Sequence, residues 1–216
     1  MEQRTIPHTN IQVSKICLGS MNWGQQNTET QAHEQLDYAT SNDINFIDTA
    51  EVYPIPPTAE LQGTTERFIG TWLKKRGKRD DLVIATKIGS HFQSSYIATR
   101  DARNGLTREN ILQAIDGSLE RLQTDYVDLY QVHVPDRTAN YFGIRGFEQL
   151  KEEDVPSIEE TLSGLAEIVQ SGKVRHIGIS NETPWGTMEY LRISKKKGIS
   201  TYCDYSKPIQ PDQSYI

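Results

Sequence analysis

Five short, β-rich apolar runs recur along this chain, at Ile16 to Leu18, Ile44 to Ile47, Leu82 to Ala85, Tyr126 to Val132 and Val174 to Ile179, with longer segments of helical period between them. A chain that alternates strand and helix in this way builds a parallel sheet, because each helix carries the chain back to start the next strand in the same direction. The helical segments are well punctuated. Ser157-x-x-Glu160 after Pro156 is a capping box opening the apolar series Ile158, Leu162, Leu165, Ile168. Thr107 is an N-cap candidate ahead of Ile111, Ile115, Leu119 and Leu122, which form one apolar stripe. Ahead of the first unit, Arg4 to Pro7 and Ile11 to Val13 flank Thr9-Asn10, which predicts a small hairpin capping one end of the sheet. No internal linker or low-complexity tract divides residues 1–216, so a single domain is expected. The pattern fits both a doubly wound open sheet and a (β/α)8 barrel, and periodicity alone does not choose between them.

Composition narrows the function classes. With 23 Lys and Arg against 29 Asp and Glu, the formal charge of −6 argues against a surface built to neutralise nucleic-acid phosphates. No apolar stretch approaches the roughly 20 residues of a membrane span. The first residues, Met1-Glu2-Gln3-Arg4, lack the apolar core of a signal peptide, and two cysteines, Cys17 and Cys203, are too few for a disulfide framework or a four-ligand zinc site. A reducing cytoplasm is the expected compartment, and no metal is expected. The glycine spacings contain no G-x-G-x-x-G, no G-x-S-x-G and no P-loop, and His33-Glu34 lacks the second histidine of a metalloprotease helix.

The chemistry must therefore come from elsewhere, and three successive apolar runs each lead into a different ionisable side chain: Asp48, Lys87 and His133. Carboxyl ends of parallel strands share one face, the face that carries active sites in α/β folds, so these three should converge there. Tyr53, five residues beyond Asp48, should lean over the same mouth. A phenol titrates near pH 10, and a neighbouring cation lowers that value, so Lys87 is expected to bring Tyr53 within reach of proton donation. Asp48 would hold the Lys87 ammonium in place, and His133 would orient a substrate carbonyl oxygen. Asp125 and Asp128 fit structural roles, Trp23 fits a pocket wall or a barrel rim equally well, and Lys195 to Lys197 fit a solvated helix end. Two long segments after strands, 88–106 and 134–156, are expected to carry functional loops.

These residues resemble those of the aldo-keto reductase superfamily, and within it the Tas-like branch. The matching stretches are Gly19-Ser20-Met21 with Trp23-Gly24, Asn45 to Glu51 with Tyr53, Ala85-Thr86-Lys87, Arg121 to His133, and Gly172 to Glu182, within a likeness running from about residue 4 to 199. The resemblance implies a (β/α)8 TIM-type barrel and NADP-dependent reduction of small-molecule carbonyl substrates. It matches Asp48, Tyr53, Lys87 and His133 to the family's catalytic tetrad, with Tyr53 giving the proton. It also matches Ser180 and Asn181 to the pair that binds the nicotinamide carboxamide, and Ser20 and Met21 to positions against the cofactor, beside Asp48. The oligomeric state is left open by the resemblance.

Eight units take about 250 residues, and five strands and helices can be counted here, so an incomplete barrel of about five of eight units is expected. In the family the later strands supply a carboxamide-binding glutamine, an aromatic platform and the phosphate-binding loops. A permitted codon choice for residues 200–214, made to match the family's sixth strand and read one base on, translates as Leu-Arg-Ile-Val-Thr-Ile-Gln-Asn-Pro-Tyr-Ser-Leu-Ile-Asn. The tail from about residue 200 to 216 is thus expected to be an out-of-frame reading of a longer gene. The alternative to an enzyme is an inactive remnant or a non-enzymatic binding module on the same barrel.

Overall fold

The computed structural model describes residues 1–139 and 154–199. The expected tail, Cys203 and most of the 134–156 loop lie outside the described residues. An N-terminal hairpin, β1 (Gln3–Thr5) with β2 (Gln12–Ser14), precedes five βα units: β3 (Cys17–Gly19) with α1 (Glu29–Ser41), β4 (Phe46–Asp48) with α2 (Thr64–Arg76), β5 (Val83–Ile88) with α3 (Arg108–Leu122), β6 (Val127–Val132) with α4 (Ile158–Gln170), and β7 (Val174–Ile179) with α5 (Pro184–Lys197).

The sheet order is β3-β4-β5-β6-β7 with every pair parallel. This order settles what periodicity left open. A doubly wound sheet reverses its strand order at a switch point; here each strand pairs with the next in sequence, and consecutive helices pack on one another in a single layer. The result is an arc of a (β/α)8 barrel, five units wide. The hairpin caps the arc's amino-terminal end, where Ile6, Ile11 and Val13 pack on Val83 and Phe46 at the starts of β5 and β4. Among the described residues no helix is long and apolar enough to cross a membrane.

The main core lies between sheet and helices, with Leu36, Ile69, Ile84, Ile111, Ile115, Leu122, Leu162 and Ile168 buried together. Four of the five helices start where a side chain caps them: Thr28, Thr107, Ser157 and Thr183 each accept a backbone N–H of the first turn. Trp23 belongs to this core, donating from Nε1 to Gln35 Oε1 at 2.8 Å. Asp128 is structural: its carboxylate accepts from Ile84 N–H, Arg79 and Arg175. Lys197, at the carboxyl end of α5, pairs with Glu159 of α4 at 2.8 Å.

One close approach sets the spacing of α2 and α3. A Cβ on Gly70 would overlap the carbonyl oxygen of Arg121 and come within 2.8 Å of the carbonyl carbon of Leu122, both backbone atoms that cannot swing aside. Gly70→Ala is therefore expected to lower stability by about 1–3 kcal/mol, read as a lower urea midpoint. An unchanged midpoint would show that the helices separate without cost.

Candidate active site

A cleft of about 1190 Å³ runs along the arc, from Lys15, Cys17 and Phe46 at the amino ends of β3 and β4 to the carboxyl ends of the parallel strands. All eight residues singled out in the sequence line it: Asp48, Tyr53, Lys87 and His133, together with Ser20, Met21, Ser180 and Asn181. The strand register gathers them. Gly19 pairs with Asp48 and Lys87 with Gln131, while His133 and Ser180 follow the paired residues Val132 and Ile179.

Lys87 is the centre of charge. Its ammonium, with the side chain only 5% exposed, donates to Asp48 Oδ2 at 2.5 Å and to the Thr49 carbonyl oxygen at 2.8 Å. Burial disfavours this charge, but Asp48 and Tyr53, by charge and hydrogen bond, outweigh the burial, and the Lys87 pKa lies above its ordinary value. Asp48 is fixed in turn: Gln131 Nε2 donates to its Oδ1 at 3.2 Å, and Ser20 Oγ donates to its main-chain oxygen at 3.0 Å.

Tyr53 sits on the loop after β4, its ring packed with Ala50, Val52, Ile97 and Ala102. Lys87 Nζ is 5.0 Å from the ring centroid, and the His133 ring meets it edge-on at 5.4 Å between centroids. The expected lowering of the Tyr53 pKa needs correction. Burial raises it, the charge of Lys87 lowers it, Asp48 adds to the rise, and the net direction is upward. The physical reason is that a phenolate buried here would be poorly solvated, a cost that the charge of Lys87, itself opposed by Asp48, does not offset. At neutral pH Tyr53 is thus a protonated phenol, with an ammonium beside it.

His133 is buried, and burial followed by the charge of Lys87 holds its pKa well below the ordinary imidazole value. Its ring is neutral at neutral pH. Asn181, in the left-handed region at φ 54°, donates from Nδ2 to the His133 main-chain oxygen at 2.9 Å and to Ser180 Oγ at 3.1 Å. That leaves the Asn181 side-chain oxygen as an acceptor and the Ser180 hydroxyl proton as a donor on the cleft wall. A primary carboxamide needs that complementary pair, so these residues fit a nicotinamide amide.

Two groups went unnoticed in the sequence. Gln131, which braces Asp48, is a neutral residue inside an apolar strand. The second is a pair of carboxylates that pin the loop after β5: Glu51 accepts from Gly89 N–H and Arg100, and Asp136 accepts from the N–H groups of His91 and Leu106. Between those pins a 3₁₀ turn, His91–Tyr96, places Phe92, Gln93 and Tyr96 along the cleft. Among the described residues no group of three or more His, Cys, Asp or Glu is placed to hold a metal ion.

Residues 15–206 match the model of the aldo/keto reductase family. The chain belongs to this family. Its curated relatives include protein tas of Escherichia coli (strain K12), 44% identical over 208 residues that cover 96% of this chain and 60% of the relative. A protein named uncharacterized oxidoreductase YrpG, from Bacillus subtilis (strain 168), is 35% identical over 91% of this chain and 54% of its own length. Norsolorinic acid reductase stcV of Emericella nidulans is 31% identical over 92% of this chain and 47% of its own. The chain thus spans about half to three fifths of the length of these relatives. The aldo/keto reductase barrel accounts for the arc of five parallel units.

Proposed function

We propose that this cleft belongs to an oxidoreductase that reduces small-molecule carbonyl compounds with NADP(H), Tyr53 giving the proton. The observation that carries the reading is the placement of one protonated phenol against a buried ammonium and a neutral imidazole, at the mouth of three adjacent strands. A reduced nicotinamide supplies hydride when bound. The carbonyl oxygen then gains charge, and the Tyr53 hydroxyl passes its proton to it. Lys87 stabilises the charge left on the Tyr53 oxygen, Asp48 keeps Lys87 charged and aimed, and His133 orients the carbonyl oxygen. Ser180 and Asn181 would hold the carboxamide, with Ser20, Met21 and Asp48 also against the cofactor. The choice of NADP(H), like a cytoplasmic location, rests on the resemblance and the composition set out above.

We further propose that the tail from about residue 200 is out of frame and that turnover belongs to a longer protein. Sequencing the coding DNA from codon 190 onward tests this: another frame continuing with further βα units is expected, and its absence would remove the proposal. Fluorescence titration with NADPH tests the site. Saturable quenching is expected of the full-length protein, and saturable quenching by the 216-residue chain itself would exclude an inactive remnant. Turnover is read as NADPH consumption with a simple aldehyde or quinone by the full-length protein. Neither quenching nor turnover would favour the non-enzymatic alternatives, a remnant or a binding module.

A further inference from the structure

We infer that Gln93 is a positioning residue that fixes the tautomer of His133: its carboxamide oxygen faces the Ser90 N–H, so its NH₂ group faces His133 Nδ1 and leaves the ring proton on Nε2. The Ser90 N to Gln93 Oε1 distance is 3.3 Å, and Gln93 Nε2 lies 3.4 Å from His133 Nδ1. Both contacts are long, and what they decide is polarity. A main-chain N–H can only donate, so the Gln93 atom against it must be the oxygen; the flipped amide would set two donors face to face. With the oxygen so placed, the atom against Nδ1 is an NH₂ nitrogen, which can only donate, and Nδ1 must accept. A neutral imidazole has one N–H, and it is then on Nε2. No protein group among the described residues hydrogen-bonds Nε2, and the ring lines the cleft.

The geometry is held from outside the site. Gln93 lies in the 3₁₀ turn His91–Tyr96, its own N–H bonded to Ser90 O at 3.0 Å. Upstream of Gln93, Glu51 Oε1 accepts from Gly89 N–H at 2.6 Å and Asp136 accepts from His91 N–H at 2.9 Å; downstream, Asp136 accepts from Leu106 N–H at 2.6 Å. The turn is thereby pinned on both sides of Gln93, and the amide is presented rather than free to swing. Burial and the Lys87 charge, which keep the ring neutral, act in the same sense. On the proposed function, on which this consequence rests, His133 meets the carbonyl oxygen with an N–H donor and has no lone pair on the nitrogen that faces it. The proton delivered to the product then comes from Tyr53 and not from the imidazole.

The tautomer is read without substrate or cofactor. Long-range ¹H–¹⁵N correlation spectra of the ¹⁵N-histidine-labelled chain, with a His133→Asn sample to assign the ring, should show Nδ1 as unprotonated and Nε2 as protonated. In Gln93→Glu the carboxylate can only accept, so Nδ1 should move into the protonated range, while Gln93→Leu should release the constraint and leave the ring a mixture of the two neutral tautomers, with both nitrogens between the two ranges. A wild-type ring protonated on Nδ1, or the same nitrogen signature in wild type and Gln93→Glu, would overturn the inference. If Gln93 served the fold alone, both substitutions would shift the urea midpoint and leave the His133 nitrogens unmoved. The expected tautomer in a full-length protein that turns over no carbonyl would overturn the proposed function and not this assignment.

Discussion

Tyr53→Phe is expected to lower kcat for carbonyl reduction by about 10²–10⁴-fold, the range that a positioned general acid contributes. The substitution removes one oxygen and little else. The Tyr53 ring packs on Ala50, Val52, Ile97 and Ala102, contacts that a phenylalanine ring keeps, and the loop is fixed by main-chain bonds from Tyr53 N to Ala50 O and from Gly63 N to Tyr53 O. NADPH quenching should therefore be unchanged while turnover collapses. That split separates loss of a proton donor from loss of the site. Because burial holds the Tyr53 pKa above its ordinary value, the donor stays protonated throughout the neutral range, and wild-type activity should not fall from Tyr53 ionisation below about pH 10. Steady-state kinetics of the full-length pair decides it. A variant that retains kcat within about tenfold would transfer the proton-donor role to another group.

How much of this site can be read from the sequence depends on whether a residue's role follows from its place on a strand. Asp48, Lys87 and His133 announce themselves because an apolar run leading into a charge has one physical meaning in a parallel sheet: the side chain emerges at the carboxyl end. Five strands and five helices follow from period and caps for the same reason. What the sequence withheld was set by packing across distance. Strand order, which separates an arc of a barrel from a doubly wound sheet, is not a periodicity. The net pKa of Tyr53 depends on burial that no spacing encodes: the influence of Lys87 follows from the strand ends, and its being outweighed does not. Gln93 and Gln131 carry no charge, and their roles arise from partners 40 and 83 residues away. The place of Trp23 in the main core, its indole bonded to Gln35, is likewise a matter of tertiary packing.

Those distant partners also set where the structure is most vulnerable. Arg100→Met is expected to destabilise the chain by about 3 kcal/mol, the lower end of the cost of leaving one member of a buried ion pair without its partner. Glu51 and the Arg100 side chain are 0% and 1% exposed, and their contact, Nη2 to Oε1 at 2.6 Å, spans 49 residues. Without the guanidinium, Glu51 keeps one donor, the Gly89 N–H, for a carboxylate sealed from water. The cost stays at the low end because Arg100 Nε and Nη1 find no protein hydrogen-bond partner among the described residues, so methionine also removes two unsatisfied donors. The measurement is urea denaturation, where a lower midpoint at unchanged slope reports stability alone. Adding Glu51→Gln to Arg100→Met should recover part of the loss, since it takes away the stranded charge; Glu51→Gln alone should be destabilising. If the two substitutions simply added, the charges would not be coupled, and Glu51 and Arg100 would hold the loop that carries Gln93 through their separate bonds to Gly89. If they are coupled as expected, the pair does more than stabilise. Arg100 Nη2 also donates to Gly89 O at 2.9 Å, so the ion pair sets the path of the chain as it leaves β5, one residue before Ser90 and four before Gln93. A loosened pair would then show first as a His133 ring with mixed tautomers, at temperatures where the rest of the fold is intact.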